Sequence, residues 1–447
     1  MTHPQGLQEL LPPLSAQEAA VEANRCLYCY DAPCAHACPT HIDIARFIKK
    51  IATDNLVGSA RTIFEANLLG ATCARVCPVQ ELCEGACVLG SEHKPIMIGR
   101  LQRHAMDYAY RHGVDPGVRA NGATGGKRVA VVGSGPAGLS CAGELALRGH
   151  AVTVFEKRAA AGGLSTYGII GLREPVDIAL AEAAMIERLG ARIDLGRELG
   201  GNLLFEQLRS EFDAVFLAVG LGATPSMGME GEERMLDGLQ YIEQSKANPE
   251  TMQVGRDVVV IGAGNTAVDC ATVAKRLGAD RVTMLYRRTA AEMTAYPHEY
   301  EFVKIEGVEF RFLAQPVGVI EEHGMVVGVQ CVGMALDAPS APNGSGRRMT
   351  RAVPGSEFMV PADQVVKAVG QEKPALAALL GLATERGFIA VNGRFETSIA
   401  GVYAGGDCIR AKNSASTVMA VQDGKLAAAA IHAHLTREVS VDGRSQH

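Results

Sequence analysis

The chain has 447 residues, 47% hydrophobic and 21% charged, enough for about three domains of ordinary size. A formal net charge of -6 with scattered lysines and arginines gives no basic surface for nucleic acid. The N-terminal "MTHPQGLQELL" lacks the basic and apolar regions of a secretory signal, and the small-apolar run "KLAAAAIHAHL" is too short and polar to span a bilayer. A cytoplasmic protein with no membrane partner is therefore expected. In a reducing compartment its clustered cysteines point to metal or redox chemistry rather than to disulfides.

Residues 1 to about 112 read as helical. "EAAVEANRC", "DIARFIKKIAT", "SARTIFEANLL" and "IGRLQRHAMDYAYRHG" place apolar residues three and four apart. Eight of the twelve cysteines lie in this head, before residue 90. A glycine-rich stretch without periodicity, 113–127, reads as a linker.

Beyond it, 127–159 alternates β-branched strand, glycine turn, helix and strand. Gly133, Gly135 and Gly138 form G-x-G-x-x-G at the strand-to-helix turn. The first glycine allows the tight turn, the second lets backbone approach a pyrophosphate, and the third permits close helix–strand packing. Glu156 ends the second strand, placed to accept from a ribose hydroxyl. Residues 256–288 repeat the plan with Gly262, Gly264 and Ala267; Asn265 and Thr266 open the following helix. The second strand of this unit ends in Arg287 and Arg288 rather than an acid, which suits a 2′-phosphate. The following "TAAEMTAYP" offers no further arginine. The alternative for this pair is a solvated loop.

Near the C-terminus, "GVYAGGDCIR" leads from a short strand into Gly406 and Asp407, and a helical pattern begins near Thr417. With the first glycine loop, this Gly-Asp suits the ribityl chain of FAD, although alone it would be a plain turn. The expected FAD residues are Gly133, Gly135, Gly138, Glu156, Gly163, Gly406, Asp407 and Thr417. Those for NAD(P) are Gly262, Gly264, Asn265, Thr266, Arg287 and Arg288.

The head contains Cys26-x2-Cys29-x4-Cys34-x3-Cys38-Pro39, then Cys73, Cys77, Cys83 and Cys87. Cys83 and Cys87 would share one face of a helix. Zinc favours paired C-x-x-C or mixed histidines, and the irregular gaps here fit it poorly. The run is closer to the bacterial ferredoxin pattern, in which three cysteines hold one cluster and the fourth, before proline, serves another. On that logic Cys26, Cys29 and Cys34 hold one [4Fe–4S] cluster, and Cys38, Cys77, Cys83 and Cys87 hold a second. The first is then one ligand short with Cys73 unused, and Cys73 is the simplest candidate for the missing ligand. Zinc and free thiols remain the alternatives.

From about residue 128 the chain resembles the pyridine nucleotide-disulfide oxidoreductase group, but it lacks the C-x-x-C of the dithiol reductases there. With the head included, it resembles the NAD(P)H-accepting half of dihydropyrimidine dehydrogenase and is similar to glutamate synthase small subunits. The resemblance implies an α-helical two-cluster iron–sulfur domain (1–120) followed by two α/β Rossmann-like domains. The FAD domain (121–225 and 366–447) would carry the NAD(P) domain (226–365) as an insertion. It implies Gln102, in "IMIGRLQRHA", as the fourth ligand of the first cluster, with Cys73 not a ligand. It further implies FAD, two [4Fe–4S] clusters and NAD(P)H, with NADH slightly favoured. No pyrimidine site is expected on this chain: uracil or thymine would be reduced on a partner subunit carrying FMN and further iron–sulfur clusters. A glutamate synthase small subunit and a stand-alone flavoprotein reductase are the competing readings.

Overall fold

A computed structural model describes residues 8–114, 116, 126–337, 348–410 and 416–437. The expected boundary at 120/121 and the first seven residues, on which the signal-peptide reading partly rested, lie outside these. The chain packs as two compact units, Leu11–Thr166 with Arg173–Gly222 and Lys373–His447, and Ala223–Glu372 with Met1–Leu10 and Tyr167–Leu172. The chain passes between them at 10/11, 166/167, 172/173, 222/223 and 372/373, so the short segment Tyr167–Leu172 joins Ala223–Glu372 although the expected boundaries, at 225/226 and 365/366, leave it in the FAD domain. The cysteine-rich head and the first dinucleotide fold therefore belong to one unit.

The head is built of short capped helices. Ser15 and Glu18 form a reciprocal capping box at Ala16–Asn24, while Asp43 and Asn55 cap Ile44–Ala52 and Leu56–Ala66. Ile44, Phe47, Ile48 and Ile51 form one buried stripe. On Ile98–Arg111 the buried positions are 98, 101, 102, 105, 106 and 109 among others, so Gln102 sits in the middle of an apolar face. Two further short helices, Pro33–Ala37 and Gly70–Val76, carry or border cysteines.

Against the head lies a five-stranded parallel sheet in the order Val402–Ala404, Ala214–Leu217, Arg128–Val132, Ala151–Glu156, Arg192–Leu195. Chain order reverses at the central strand Arg128–Val132, and such a switch point opens a ligand crevice at the strands' C-terminal ends. The helices Pro136–Leu147 and Thr417–Arg437 cover the sheet and touch closely at Gly424, where a Cβ would lie 2.2 Å from the Ala137 carbonyl oxygen.

The other unit repeats the arrangement in the order Leu236–Asp237, Gln364–Lys367, Asp257–Ile261, Arg281–Tyr286, Glu309–Phe312. It adds an antiparallel sheet of Ala314–Glu322, Met325–Leu336 and Thr350–Pro361. The first hairpin turns on His323 and Gly324 with φ of 53° and 80°, as the right-handed twist of the strands requires. Among the described residues no helix is long and apolar enough to cross a membrane.

Candidate cofactor sites

The first glycine turn is forced by its surroundings. Gly133 has φ 100°, and a Cβ there would sit 2.3 Å from the Ala218 carbonyl oxygen. A Cβ on Gly138 would lie 1.9 Å from the Gly133 oxygen, so helix and strand approach too closely for any side chain. Gly135 caps the helix Pro136–Leu147, and Gly163, with φ 57°, closes over it: a Cβ there would be 2.7 Å from the Gly135 Cα. Glu156 is buried at the strand end and accepts from Ser134 N at 2.9 Å, Ser134 Oγ at 2.6 Å and Arg158 N at 2.8 Å. Gly162 N in turn donates to Ser134 Oγ at 3.2 Å. Ser134, which the motif reading passed over, thus ties the acidic strand end to the loop holding Gly163.

At the other side of the crevice Gly406 adopts φ 78°, and a Cβ there would meet the Ala137 Cβ at 3.0 Å. Its N–H donates to Asp423 Oδ2 at 3.0 Å, and Arg410 Nε donates to the same oxygen at 2.9 Å. Burial, then the neighbouring Asp423 carboxylate, raises the Asp407 pKa from its ordinary value. Thr417 is the first residue of its helix. Asp423 is fully buried, one turn and a half beyond Thr417, and nothing in its local sequence marks it.

In the other unit Gly262 has φ 135°, and a Cβ would meet the Ala368 oxygen at 2.2 Å. Gly264 caps Asn265–Arg276, so Asn265 and Thr266 occupy its first turn. The loop after strand Arg281–Tyr286 folds back onto this turn, with Thr294 N and Ala295 N each donating to Ala263 O at 3.1 Å. Arg288 Nε donates to the Arg348 carbonyl at 2.9 Å, while the Arg348 guanidinium pairs with Glu292, Nε to Oε1 at 2.7 Å. No local motif marks Arg348, 60 residues away, as a residue of this place.

None of the twelve cysteines forms a disulfide. Cys26, Cys29, Cys34 and Cys87 line one cavity of about 390 Å³ including its open mouth, among Ile44, Ile48, Ile96 and Ile98. Burial raises the Cys26 pKa, with smaller contributions from Cys29 and Cys87, and pushes Cys34 up to about 11, aided by Cys87 and Cys26. A second group faces Cys77. Its pKa is raised well above the thiol range by the side-chain hydrogen bond with Cys73, by burial, and by Cys83 and Cys38. Burial likewise raises Cys83, which also feels Glu84, Cys38 and Cys34, so the two groups adjoin.

The structure thus places Cys87 with the first thiols, where the expected partition had it with Cys38, Cys77 and Cys83. The helix expected to align Cys83 with Cys87 is absent: 79–86 is a series of turns, and Cys87 precedes a 3-10 turn. Gln102 does not line the first cavity. Its Nε2 donates at 2.7 Å to Gly70 O, at the start of the helix that carries Cys73 and ends at Cys77. Glu84 Oε1 accepts from Gly99 N at 3.0 Å, tying the Cys83 turn to the same helix as Gln102. Burial pushes the Glu84 carboxyl up to about 6.

No three His, Cys, Asp or Glu side chains among the described residues converge closely enough for a single metal ion. A mononuclear zinc site would draw its sulfurs to about 2.3 Å from one centre. An iron–sulfur cube spaces its thiolates more widely, and the apolar cavity with four thiols suits that group. A cluster's positive charge also supplies what these buried thiols lack, a reason to ionise.

Side-chain hydrogen bonds join the head to the flavin fold. Lys425, on the helix Thr417–Arg437, donates to Ala66 O at 2.8 Å, and Glu144 and Cys38 are the negative groups facing it. Glu182, on Val176–Arg188, is 2% exposed and accepts through Oε1 from Ala71 N at 2.8 Å and Thr72 N at 3.0 Å. The Thr72 hydroxyl donates to the fully buried Glu174. Burial pushes the Glu182 carboxyl up to about 8, the bonds from Thr72 oppose the rise, and Glu174 adds to it.

A two-dinucleotide flavoprotein fold fused to a thiol-rich helical head defines an electron-transferring oxidoreductase. Residues 127–424 match the family described as pyridine nucleotide-disulphide oxidoreductase, and residues 4–114 match "dihydropyrimidine dehydrogenase domain II, 4Fe-4S cluster". The chain belongs to the pyridine nucleotide-disulphide oxidoreductase family, in its branch with this iron–sulfur head. It is 34% identical to the Escherichia coli glutamate synthase [NADPH] small chain, over 94% of this chain and 92% of that one. It is also 34% identical to the E. coli NAD-dependent dihydropyrimidine dehydrogenase subunit PreT, over 96% and 97%. At 37% identity it matches the Moorella thermoacetica NADP(+)-dependent formate dehydrogenase subunit beta over 90% of its own length, but spans 60% of that protein. The solved structure of Mycobacterium tuberculosis FprA in complex with NADPH shares the fold, with a TM-score of 0.58 at 18% identity, over 72% of this chain and 87% of that one. The protein is an NAD(P)H oxidoreductase whose cofactors are FAD, a nicotinamide dinucleotide and [4Fe–4S] iron–sulfur.

Proposed function

We propose that this chain is the electron-input subunit of a dihydropyrimidine dehydrogenase. It oxidises NAD(P)H and passes the electrons to an FMN-containing partner that reduces uracil or thymine. When bound, FAD accepts a hydride as two electrons and iron–sulfur clusters carry them singly. Cys26, Cys29, Cys34 and Cys87 would hold one cluster; Cys38, Cys77, Cys83 and Gln102 would hold the other. Gln102 spends its Nε2 on Gly70 O, which leaves the amide oxygen as its ligating end.

The observation carrying the relay is the position of Cys38. It faces Lys425 on the helix that begins beside the flavin crevice, while its set adjoins the open cavity of the other four thiols. Electrons would enter at the Cys38 set and leave from the Cys87 set. The choice of pyrimidine partner rests on Gln102, the ligand that the resemblance to dihydropyrimidine dehydrogenase implies, and on the PreT match over nearly both full lengths.

The test is co-purification with the candidate FMN subunit and a uracil-dependent NAD(P)H oxidation assay. Cys38→Ala should retain NAD(P)H-to-dye activity and lose uracil reduction. No uracil-dependent rate in the intact pair, with glutamine-dependent glutamate formation alongside a large amidotransferase instead, would move the chain to the glutamate synthase reading.

A further inference from the structure

The nucleotide end of the inserted unit contains a side-chain assembly that the motifs did not foretell. Residues Thr289–Ala295 form a loop against the glycine turn: Thr294 and Ala295 N–H groups both bind Ala263 O, and a Cβ on Gly264 would be 3.0 Å from Thr294 Oγ1. Glu292 organises the loop. Its Oε2 accepts from Thr289 N at 3.2 Å and Thr289 Oγ1 at 2.5 Å, and the Tyr286 hydroxyl donates to its backbone oxygen at 2.6 Å. Burial opposes ionisation of this carboxyl, but bonds from Thr289 and Arg348 outweigh it and hold the pKa below the usual range.

Arg348 arrives from the other side, at the start of the edge strand of the antiparallel sheet. Its carbonyl takes Arg288 Nε and its Nε and Nη2 grip Glu292 Oε1, which fastens the last residues after the second strand to the loop on the glycine turn. The Arg348 side chain is still 38% exposed, against 9% for Glu292. No hydrogen bond engages its Nη1 among the described residues. A guanidinium held by one edge with the other edge presented is pre-organised for an oxyanion, because little rotamer entropy is left to lose.

The charge balance points the same way. Arg288 and Arg348 meet where the second strand of the dinucleotide fold ends, and Glu292 is the carboxylate that Arg348 grips there among the described residues. That strand end is where an acid would accept the ribose hydroxyls of NAD, and where arginine accommodates the 2′-phosphate of NADP. Glu292 has both carboxylate oxygens committed to Thr289 and Arg348, so it is not a ready acceptor for a 2′-hydroxyl.

We propose that Arg348 is a specificity-determining residue of the nicotinamide dinucleotide site, held by Glu292 to recognise a ribose 2′-phosphate. It supplies from the antiparallel sheet the arginine that the loop after Arg288 lacks. The proposal shifts the slight leaning to NADH toward NADPH. It rests on the NAD(P)H-oxidoreductase reading but not on the identity of the partner subunit.

Calorimetric titration of the flavin- and cluster-loaded protein with 2′,5′-ADP and with 5′-ADP tests it directly. The intact protein should bind 2′,5′-ADP more tightly, and Arg348→Ala should reduce that preference by about tenfold, the scale of one lost charge-assisted contact. Arg348→Lys should recover part of the preference, because charge returns without the planar fork. In steady state the ratio of KM for NADPH to KM for NADH should rise in Arg348→Ala by a similar factor. Equal binding of the two ADP isomers by the intact protein, or equal weakening of both by Arg348→Ala, would overturn the assignment. The oxidoreductase reading would fail differently, by absence of dye reduction with either nucleotide.

Discussion

Glu182→Gln isolates the contribution of one buried acid at the joint between the head and the flavin fold. Glu182 is 2% exposed, has no cation bonded to it among the described residues, and receives the N–H groups of Ala71 and Thr72. Its pKa is pushed up to about 8 from an unfolded value of 4.5, chiefly by burial. The folded chain therefore keeps a proton that the unfolded chain releases above pH 4.5. The stabilisation is fully present below that pH and is lost as pH rises toward about 8, beyond which both states are ionised. Each pH unit inside the window costs slightly over ~1 kcal/mol, so raising pH from 5.5 to 8 removes roughly 3 kcal/mol.

Glutamine keeps a carbonyl acceptor for the two N–H groups and never ionises. Urea unfolding of the full chain and of Glu182→Gln at pH 5.5, 7 and 8 should give a difference between the two that grows in favour of the variant with pH. Groups common to both proteins cancel in that difference. Parallel stability–pH profiles would show that Glu182 is ionised in the folded chain, and the argument from burial would be wrong. A loss of stability in the variant that is constant across the range would mean the same, with the amide merely a poorer fit.

Gly138→Ala should abolish FAD retention, read as flavin absorbance after gel filtration, because its Cβ would lie 1.9 Å from the Gly133 oxygen; helix displacement of that kind costs about 1–3 kcal/mol and also moves the phosphate turn. Cys87→Ser should remove roughly half of the iron and acid-labile sulfide and alter the reduced EPR spectrum, since two clusters of equal size are proposed and Cys87 lines the cavity of one. Asp423→Asn should destabilise the chain by about 3 kcal/mol in urea and weaken flavin retention, because it leaves the half-buried Arg410 guanidinium without its countercharge beside Gly406.

The dinucleotide folds were legible because their motifs are local. A β-branched strand, a glycine turn and a helix start within one short stretch specify both the turn and its phosphate cradle, and Gly133, Gly138 and Gly262 are where backbone carbonyls leave no room for a side chain. What escaped the sequence is carried by contacts between distant segments. Ser134 matters because Gly162 and Glu156 meet at it, Asp423 because Gly406 and Arg410 do, and Arg348 because the antiparallel sheet returns it to Arg288. Gln102 is the intermediate case. By itself it reads as a surface residue, yet the apolar positions 98, 101, 105, 106 and 109 around it already place it on the buried stripe of its helix.

The grouping of the cysteines shows why spacing alone misleads at a two-cluster site. Four-residue separation suggests a shared face only if the backbone between is helical, and 79–86 is not. Val79 O instead collects the N–H groups of Glu84 and Gly85, and a Cβ on Gly85 would lie 2.0 Å from the Gln80 oxygen. The chain therefore turns back on itself between Cys83 and Cys87, sending one thiol toward Cys38 and Cys77 and the other toward Cys26 and Cys34. Cys34 and Cys38 diverge in the same way across the end of the helix Pro33–Ala37, where Cys38 leaves helical backbone at ψ 118°. Each of these two short runs contributes to both thiol groups, so neither group can shift without dragging the other. Such coupling would keep the two proposed clusters at a fixed spacing in a head of short helices, and Glu182, Glu174 and Lys425 fasten the same segment, Ala66–Thr72, to the flavin fold.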